Sequence, residues 1–178
     1  SIERTNARKE EIVNACEKLY QTMSFKDITL KEIGKETSFS RTSIYNYFQT
    51  KEEIFLALLK REYDAWIREL CEAMESEETM TDDQIADVLA RTLDNHRQLL
   101  KIMSMNHYDL EENSRMELLV EFKVSYGNAM KTVMAMLAKF RKDMDIEKRQ
   151  EFVYSFFPFM FGIYPYTVVT EKQKEAMK

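Results

Sequence analysis

Residues 29–54 read TLKEIGKETSFSRTSIYNYFQTKEEI, and this stretch decides the fold of the N-terminal part of the chain. Thr29 is followed three residues later by a glutamate, the spacing of a capping box, so we expect a short helix over about 30–36. Ser40 then caps a second short helix over about 41–47. Two short helices separated by three residues have the proportions of a helix-turn-helix, whose second helix lies in the DNA major groove.

The chemistry of the second helix fits that use. Its start brings together Ser40, Arg41 and Thr42, and Tyr45 follows one turn later. All four side chains can donate hydrogen bonds to base edges or phosphates, and an arginine can bind guanine bidentately. We therefore predict that these four residues contact the bases or the groove.

Two helix starts near this motif are suited to phosphate. Thr29 begins one helix, and Thr50 with Lys51 begins a long connecting helix that runs to about residue 74. The amides and the positive dipole end of a helix start attract anions. We predict phosphate contacts from Thr29, Tyr47, Thr50 and Lys51, which position the protein without reading the sequence.

The same residues resemble the DNA-binding domain of the TetR family of transcriptional regulators. That family has a Thr-capped helix, an Ile-Ala pair, a turn with Gly-Val-Ser, a helix ending in Leu-Tyr-x-Tyr-Phe, and then x-Ser/Thr-Lys-Glu-Glu/Asp-Leu. The resemblance covers about residues 8–62. The matching positions are Thr29, Ile33, Ser40, Ile44, Tyr45, Tyr47, Phe48, Lys51, Glu52 and Ile54.

Three positions depart from the family pattern. Glycine is usual where Ser24 and Ser38 stand, and alanine is usual where Gly34 stands. Ser38 matters most because it lies in the turn between the two short helices. If that turn needs a positive φ, serine is strained there and glycine is not. We therefore expect either a strained Ser38 or a slightly different turn.

Nearly the whole chain has helical periodicity, which predicts an all-α protein. Pro158 is expected to kink the last helix or to end its first half. The segment 106–113 is expected to be irregular. The remaining predicted helices cover about 6–23, 82–103, 114–141 and 146 onward.

The resemblance implies two domains and a homodimer. Residues 1–50 would form a three-helix helix-turn-helix domain, and residues 51–178 a helical bundle that dimerises and binds a ligand. The implied interface uses two long helices from each subunit, here 114–141 and 146–164. The second is apolar on nearly every side, so it must be buried on more than one side. Such a dimer places two reading helices about 34–36 Å apart, matching a palindromic operator.

The resemblance also implies a small-molecule effector bound by residues from about 62 onward. Methionine and aromatic side chains repack around varied apolar guests, so a hydrophobic or aromatic effector is expected. At helical spacing such side chains are more often ordinary core residues, and that interpretation stays open for each of them. The candidates are Met103, Met105, Phe122, Tyr126, Met130, Phe156 and Met160.

Composition and charge exclude several classes of protein. The net charge is -5, but residues 1–61 carry 11 Lys and Arg against 9 Asp and Glu, which is compatible with DNA. Cys16 and Cys71 are expected to be buried, reduced thiols. The sequence contains no stretch of about 18 apolar residues, so no membrane span is predicted. No catalytic constellation, metal-ligand spacing or cofactor motif is found, so we expect no enzyme activity, no metal, no cofactor and a cytoplasmic location.

These features predict a sequence-specific DNA-binding transcriptional regulator. The first hypothesis is a repressor that a small hydrophobic or aromatic effector releases from a palindromic operator. An alternative is a DNA-bound regulator that acts through protein partners without an effector. A third hypothesis, an all-α enzyme or lipid carrier, is disfavoured because it leaves the helix-turn-helix residues without a purpose.

Overall fold

The computed structural model describes residues 2–178, except for the side chains of Arg41, Met105 and Asn106. Every regular element in this part of the chain is a helix, as the periodicity predicts. The described helices are α1 (Ile2–Tyr20), α2 (Leu30–Lys35), α3 (Arg41–Ile44), α4 (Lys51–Ser76), α5 (Asp82–Asn95), α6 (Arg97–Glu112), α7 (Met116–Phe140), α8 (Ile146–Thr167) and α9 (Glu171–Ala176).

The chain groups into two compact units. Unit 1 contains the residues up to Arg61 together with Asn106–Lys123, and unit 2 contains Glu62–Met105 and Val124–Lys178. The turn between α6 and α7 therefore folds with the helix-turn-helix residues, although it is distant from them in sequence. The division of the chain at residue 50 stays a prediction.

The core of unit 1 holds the two short helices of the motif in place. Ile33 of α2 and Ile44 of α3 are fully buried, and Phe48 is 1% exposed. Burying a side chain of this size contributes about 1.5–3 kcal/mol. The ring of Tyr20 at the end of α1 packs edge-on against Phe55 of α4, with 5.0 Å between centroids. The apolar positions of the motif thus fix how deeply α3 sits in unit 1.

The helix predicted over 82–103 is interrupted at His96, so that prediction is wrong at this point. His96 caps α5 with φ -116° and ψ 45°, outside the helical region. Its Nδ1 lies 3.1 Å from Glu62 and its Nε2 lies 3.0 Å from Glu69, both on α4. The hydrogen bond with Glu62 raises the pKa of His96, against the opposing effect of burial. The break in the helix therefore places an imidazole between two carboxylates.

The segment 106–113, expected to be irregular, is helical up to Glu112. Its polar composition misled the prediction, because most of these residues face solvent. Tyr108 is 86% exposed, whereas Leu110 is fully buried and supplies the apolar side of the helix. A solvated helix needs few apolar residues, so composition alone underestimated the length of α6.

α8 continues through Pro158 and Pro165, so the alternative in which Pro158 ends the helix is wrong. A proline frees the carbonyl four residues earlier from its helical hydrogen bond. For Pro158 that carbonyl belongs to Tyr154, which is 67% exposed. The freed carbonyl thus belongs to an exposed residue, where it can find a partner outside the helix, and the helix tolerates the proline.

The core of unit 2 is built around Trp66, which is fully buried. Its indole N–H donates to the hydroxyl of Thr92 at 2.9 Å, and its ring lies 6.1 Å from that of Phe157.

Cys16 is buried as predicted, and burial raises the pKa of its thiol, but Cys71 is only half-buried. No helix among the described residues is both long and apolar enough to cross a lipid bilayer.

Candidate nucleic-acid interface

The first helix of the motif begins where the sequence predicts. Thr29 is the N-cap of α2, and its Oγ1 accepts a hydrogen bond from the amide of Glu32 at 3.2 Å. The Glu32 carboxylate pairs with Lys35 at 2.9 Å instead of returning to Thr29. Because Oγ1 accepts in the capping bond, the exposed hydroxyl can still donate its hydrogen to a phosphate.

The turn between α2 and α3 is unstrained. No described residue, glycine included, has a positive φ, so of the two alternatives for Ser38 the strained one is wrong. The Ser38 amide donates to the carboxylate of Glu11 on α1 at 2.5 Å, and this bond lowers the pKa of Glu11. The Thr37 Oγ1 lies 3.0 Å from the Gly34 carbonyl. Hydrogen bonds that involve side chains therefore stabilise a turn in which the backbone of Ser38 is unstrained.

α3 presents the residues predicted to read DNA. Its N-cap is Ser40, whose Oγ accepts from the amide of Ser43 at 3.4 Å. Ser40 and Thr42 are exposed, and Tyr45 is 45% exposed. The side chain of Arg41 lies outside the described residues. The polar side chains of Ser40, Thr42 and Tyr45 thus face solvent, while Ile44 anchors the helix in the core.

Regular helix ends at Ile44, three residues before the predicted end at Tyr47. The amides of Asn46 and Tyr47 bond to carbonyls three residues back, at 3.3 and 2.8 Å, which tightens the chain into a narrower turn. The amide of Phe48 then returns to the Ile44 carbonyl at 3.0 Å. The recognition segment is therefore one regular turn followed by a tight turn that ends at a buried aromatic ring.

Tyr47 is half-buried and is attached to α1. Its hydroxyl accepts a hydrogen bond from Arg8 at 3.3 Å, and its ring centroid lies 6.4 Å from that of Phe39. The Arg8 guanidinium lies 5.9 Å from the Phe39 ring centroid, within reach of a cation–π interaction. Sequence reasoning missed Arg8, because nothing in the pattern of α1 connects it with a residue 39 positions later. The structure places this positive charge beside a predicted phosphate contact.

The side chains of Thr50 and Lys51 are already engaged within unit 1. The Thr50 hydroxyl donates to the Asn113 carbonyl at 2.9 Å and accepts from the amide of Glu53 at 3.2 Å. The Lys51 ammonium donates to the Phe25 carbonyl at 2.7 Å and lies 4.2 Å from the Phe25 ring centroid. An ammonium has three donors, so this lysine can still bind an anion, whereas the single hydroxyl hydrogen of Thr50 is used.

Sequence reasoning also missed an ion pair that ties the α6–α7 turn to the end of the motif. Glu53 is 1% exposed and accepts from the Arg115 backbone amide at 3.0 Å, from its Nε at 2.8 Å and from its Nη2 at 2.9 Å. Arg115 Nη2 also donates to the Tyr47 carbonyl at 3.0 Å, and Glu53 accepts from the Gln49 amide at 2.7 Å. We call this pair the Glu53–Arg115 clamp.

The clamp sets the ionisation of Glu53. Burial acts to raise the pKa of this carboxyl, but the hydrogen bonds from Arg115 and from the Gln49 amide outweigh burial and hold the pKa below its usual value. The carboxylate is therefore charged at neutral pH although it is shielded from water. Arg115 lies 62 residues from Glu53 along the chain, so no local pattern could have predicted the pair.

Among the predicted effector residues whose side chains the structure describes, three are buried in the core and one lines a cavity. Met103, Phe122 and Met160 are buried at 2% exposure or less, as ordinary core side chains. Tyr126 packs edge-on against Tyr63 and Phe157, and Met130 is half-buried. The side chain of Met105 lies outside the described residues. The remaining candidate, Phe156, lines a cavity.

That cavity, which we call the aromatic pocket, lies in unit 2 and has a volume of about 510 Å³. It is lined by α5, the end of α7 and the first half of α8, and three of its walls are the rings of Phe152, Phe156 and Phe159. The rings of Phe152 and Phe156 are stacked with 5.4 Å between centroids. Two charged residues, Asp82 and Arg141, line it as well and pair with each other at 2.7 Å. The described residues contain no cluster of His, Cys, Asp and Glu arranged to hold a metal.

Comparison with known proteins agrees with this geometry. A family model described as "Bacterial regulatory proteins, tetR family" matches residues 12–58, which include the helix-turn-helix. A second model, "Tetracyclin repressor-like, C-terminal domain", matches residues 60–178. Together the two models cover the motif and both long helices predicted to dimerise.

Individual relatives show the same likeness. The chain is 30% identical over 73 residues to YfiR of Bacillus subtilis (strain 168), an uncharacterized HTH-type transcriptional regulator; the match spans 41% of this chain and about a third (36%) of that protein. The fold is similar to that of the fatty acid degradation regulator FadR from Bacillus halodurans, with TM-score 0.55, 16% identity and coverage of 88% of this chain and 82% of the other.

A second solved structure is the TetR family repressor AlkX from Dietzia sp. strain DQ12-45-1b, which is implicated in biodegradation of n-alkanes. Its TM-score is 0.53 at 12% identity, again over 88% of this chain and 82% of the other. Identities this low indicate a shared fold. The family models, by contrast, match the motif and the helical remainder of the chain separately. The chain belongs to the TetR family of DNA-binding transcriptional regulators.

Proposed function

We propose that this chain is a dimeric repressor that reads a palindromic operator with α3 and leaves it when a small apolar effector binds. The observation that carries the DNA-reading role is the exposure of Ser40, Thr42 and Tyr45 in front of the buried Ile44. Hydrogen-bonding side chains on an anchored helix start are what direct readout requires. This role places the protein with the chromosome in the cytoplasm, with residues 1–50 as the DNA-binding domain.

Each phosphate contact proposed from the sequence would use a different hydrogen-bond donor. Thr29 would donate its hydroxyl hydrogen, and Tyr47 would act together with the positive charge of Arg8. Lys51 would contribute the donors that Phe25 does not use. At Thr50 the contact would use the backbone amide, because the hydroxyl hydrogen is given to Asn113. Such contacts set the register of the protein on the duplex.

Replacement of Arg41 by alanine tests the reading role. If Arg41 reads a base, the affinity for a duplex selected from a random pool by the wild-type protein falls by about 1–3 kcal/mol, and discrimination relaxes at one position. Fluorescence anisotropy against the selected duplex and single-base variants of it measures both effects. Arg91→Ala is the matched control, because Arg91 is an exposed arginine of unit 2.

Two other outcomes decide against that assignment. A uniform loss on all duplexes, with a shallower salt dependence, would make Arg41 a phosphate contact. Unchanged affinity would remove Arg41 from the interface.

The proposed dimer uses the segments 114–141 and 146–164. On α8, one side of the helix presents three uncharged exposed residues spaced four apart, Tyr154, Pro158 and Gly162, and Pro165 continues the stripe just beyond the segment. This spacing forms one stripe along a helix. A contiguous exposed surface without charge is characteristic of a face that another chain covers, and a two-fold dimer buries the same face of both copies.

The aromatic pocket is our candidate effector site. Its volume lies in the range of about 300–1,000 Å³ typical of ligand pockets, and its lining is mostly apolar. Arg141 is paired with both Asp82 and Asp143. The two charged residues that line the pocket, Asp82 and Arg141, are therefore both in ion pairs. An uncharged aliphatic or aromatic effector therefore suits the pocket better than a carboxylate, which would have to displace Asp82 or Asp143 from the arginine.

A thermal-shift experiment tests this effector site. FadR and AlkX are named for fatty acid degradation and n-alkane biodegradation, so the panel comprises alkanes, aliphatic alcohols, simple aromatics and fatty acids. A ligand at 100 times its Kd stabilises the native state by about 2.7 kcal/mol, which is readily measured. We expect an uncharged compound to raise Tm and to weaken binding to the selected duplex.

Ala90→Trp, which fills the aromatic pocket, should abolish that shift. Ser76→Trp, on an exposed residue at the end of α4, should retain it. If no compound raises Tm, the alternative of a regulator that acts through protein partners replaces the effector hypothesis.

A further inference from the structure

We propose that Arg115 is a positioning residue for DNA reading: it holds the C-terminal end of the recognition segment from the α6–α7 turn. This inference rests on the proposed function of α3 and adds to it a residue that lies outside the helix-turn-helix sequence. Arg115 follows Asn113 and Ser114 in a turn that belongs to unit 1. It acts through the backbone of the recognition segment and through Glu53.

The recognition segment is held at two levels. Ile44 and Phe48 are buried and determine how deeply the segment sits in the core. Burial of two apolar side chains does not fix rotation or sliding of the exposed backbone between them, because hydrophobic contact is non-directional. Directional hydrogen bonds are needed for that, and Arg115 supplies one to the Tyr47 carbonyl at 3.0 Å.

The other bonds of the Glu53–Arg115 clamp make that contact rigid. The backbone amide and Nε of Arg115 both bond to Glu53 Oε1, and Nη2 reaches Oε2, so the guanidinium is held in one plane. Glu53 Oε2 also accepts from the Gln49 amide at 2.7 Å. Tyr47 and Gln49 flank the buried Phe48, so the clamp forms hydrogen bonds with the backbone on both sides of that residue.

The α6–α7 turn is itself anchored to the start of α4. The Thr50 hydroxyl donates to the Asn113 carbonyl at 2.9 Å, and the Ser114 hydroxyl donates to the Leu110 carbonyl at 2.6 Å. Arg115 therefore bonds to Tyr47 from a fixed support. Base contacts require groups held within about 0.5 Å of their productive positions, whereas phosphate contacts tolerate small shifts. Loss of the clamp should reduce discrimination between DNA sequences more than it reduces binding to DNA in general.

The test compares a neutral clamp with the charged one. The double variant Glu53→Gln/Arg115→Gln removes both charges together, so no buried charge is left unpaired and the fold is spared. We expect its ratio of affinities, for a duplex selected by the wild-type protein against an unrelated duplex, to fall by about tenfold. The affinity for the unrelated duplex and its salt dependence should stay unchanged, a pattern that a merely folding-related role would not produce.

The matched control is Asp94→Asn/Arg97→Gln, which neutralises an exposed ion pair in unit 2 with the same zero change in net charge. We expect it to keep the wild-type ratio. If the wild-type protein selects no duplex from a random pool, the proposed function fails. If it selects one and the double variant discriminates as well as the wild type, the positioning role of Arg115 is wrong.

A measurement on the unmodified chain decides the matter even if the double variant is unstable. The backbone amides of Gln49 and Arg115 both donate to Glu53, so their hydrogen exchange reports on the clamp. If the clamp positions the reading helix, binding to the selected duplex should make the hydrogen bonds of the clamp open less often. We expect exchange at both amides to slow severalfold with the selected duplex compared with an unrelated duplex at equal saturation. Equal exchange rates in the two complexes would overturn the proposal.

Discussion

Arg115→Ala is expected to lower the free energy of unfolding by about 3 kcal/mol at neutral pH. The loss arises mainly at Glu53, whose side chain is 1% exposed and would keep a charge without its partner. Breaking a buried ion pair from one side costs about 3–5 kcal/mol. We expect the lower end of that range, because the Arg115 side chain is 40% exposed and its attraction for Glu53 is partly screened by water. Urea denaturation followed by circular dichroism measures the change.

The pH dependence of that loss has a definite sign. In the wild-type protein the folded pKa of Glu53 is lowered, so its contribution is present above the unfolded pKa and is lost as the pH falls through the folded pKa. In Arg115→Ala the guanidinium is lost and only the backbone amides of Gln49 and residue 115 still oppose burial, so the folded pKa of Glu53 rises. The penalty is then relieved as Glu53 takes up a proton on acidification, so the gap between variant and wild type should narrow from pH 7.5 to pH 5.

Glu53→Gln/Arg115→Gln should stay close to the wild type in the same experiment, because replacing both partners is far less costly than orphaning one. A double variant as unstable as Arg115→Ala would show that shape, rather than charge, determines the contribution of the clamp. A single variant with wild-type stability at pH 7.5 would show that Glu53 gains access to water and is not held as a buried charge.

The fold of the motif could be predicted because local chemistry determines it. The caps at Thr29 and Ser40 form where the sequence places them, and the buried residues Ile33, Ile44 and Phe48 follow these caps at intervals of four. These features depend on residues three or four positions apart, the range over which helical periodicity and capping act. A single sequence contains that information directly.

The features that could not be predicted depend on distant partners. The break at His96 is associated with hydrogen bonds to two carboxylates of α4. The turn at Ser38 is stabilised partly by the hydrogen bond that the Ser38 amide donates to Glu11. Neither relation is visible in the sequence around the affected residue. The same holds for the end of the motif, where Arg115 reaches back across 62 residues to Glu53. The sequence therefore predicted a reading surface, but it did not reveal the contacts from distant residues that support it.

The candidate effector residues show a different limit. Methionine and aromatic side chains in apolar helices predict a packed interior, but they do not show which of them border empty space. Met103 and Met160 fill the core, while Phe156 lines the aromatic pocket together with Phe152 and Phe159. A cavity is a property of how helices pack, and side-chain type does not encode it.

Gly162→Arg is expected to prevent dimer formation and to weaken binding to the selected palindromic duplex by at least about a hundredfold. A Cβ added at Gly162 would meet no atom within 4 Å beyond its own stretch of helix, so we expect the isolated chain to keep its fold in this variant. In the proposed dimer the same position lies in the uncharged stripe of α8, where an arginine from each copy would be buried against the other. Two linked reading helices gain about 10²–10⁴ in affinity over one, and a monomer loses that gain.

Light scattering at micromolar concentration and anisotropy with full and half operators measure the two effects. Ser76→Arg is the matched control, because it adds the same charge at an exposed position outside the proposed interface. We expect Gly162→Arg to be a monomer that binds the half operator as well as the wild-type protein does. A variant that remains dimeric would place the interface elsewhere. A monomer that binds the full operator with wild-type affinity would show that a single copy supplies all the contacts, and the palindromic mode of reading would then be wrong.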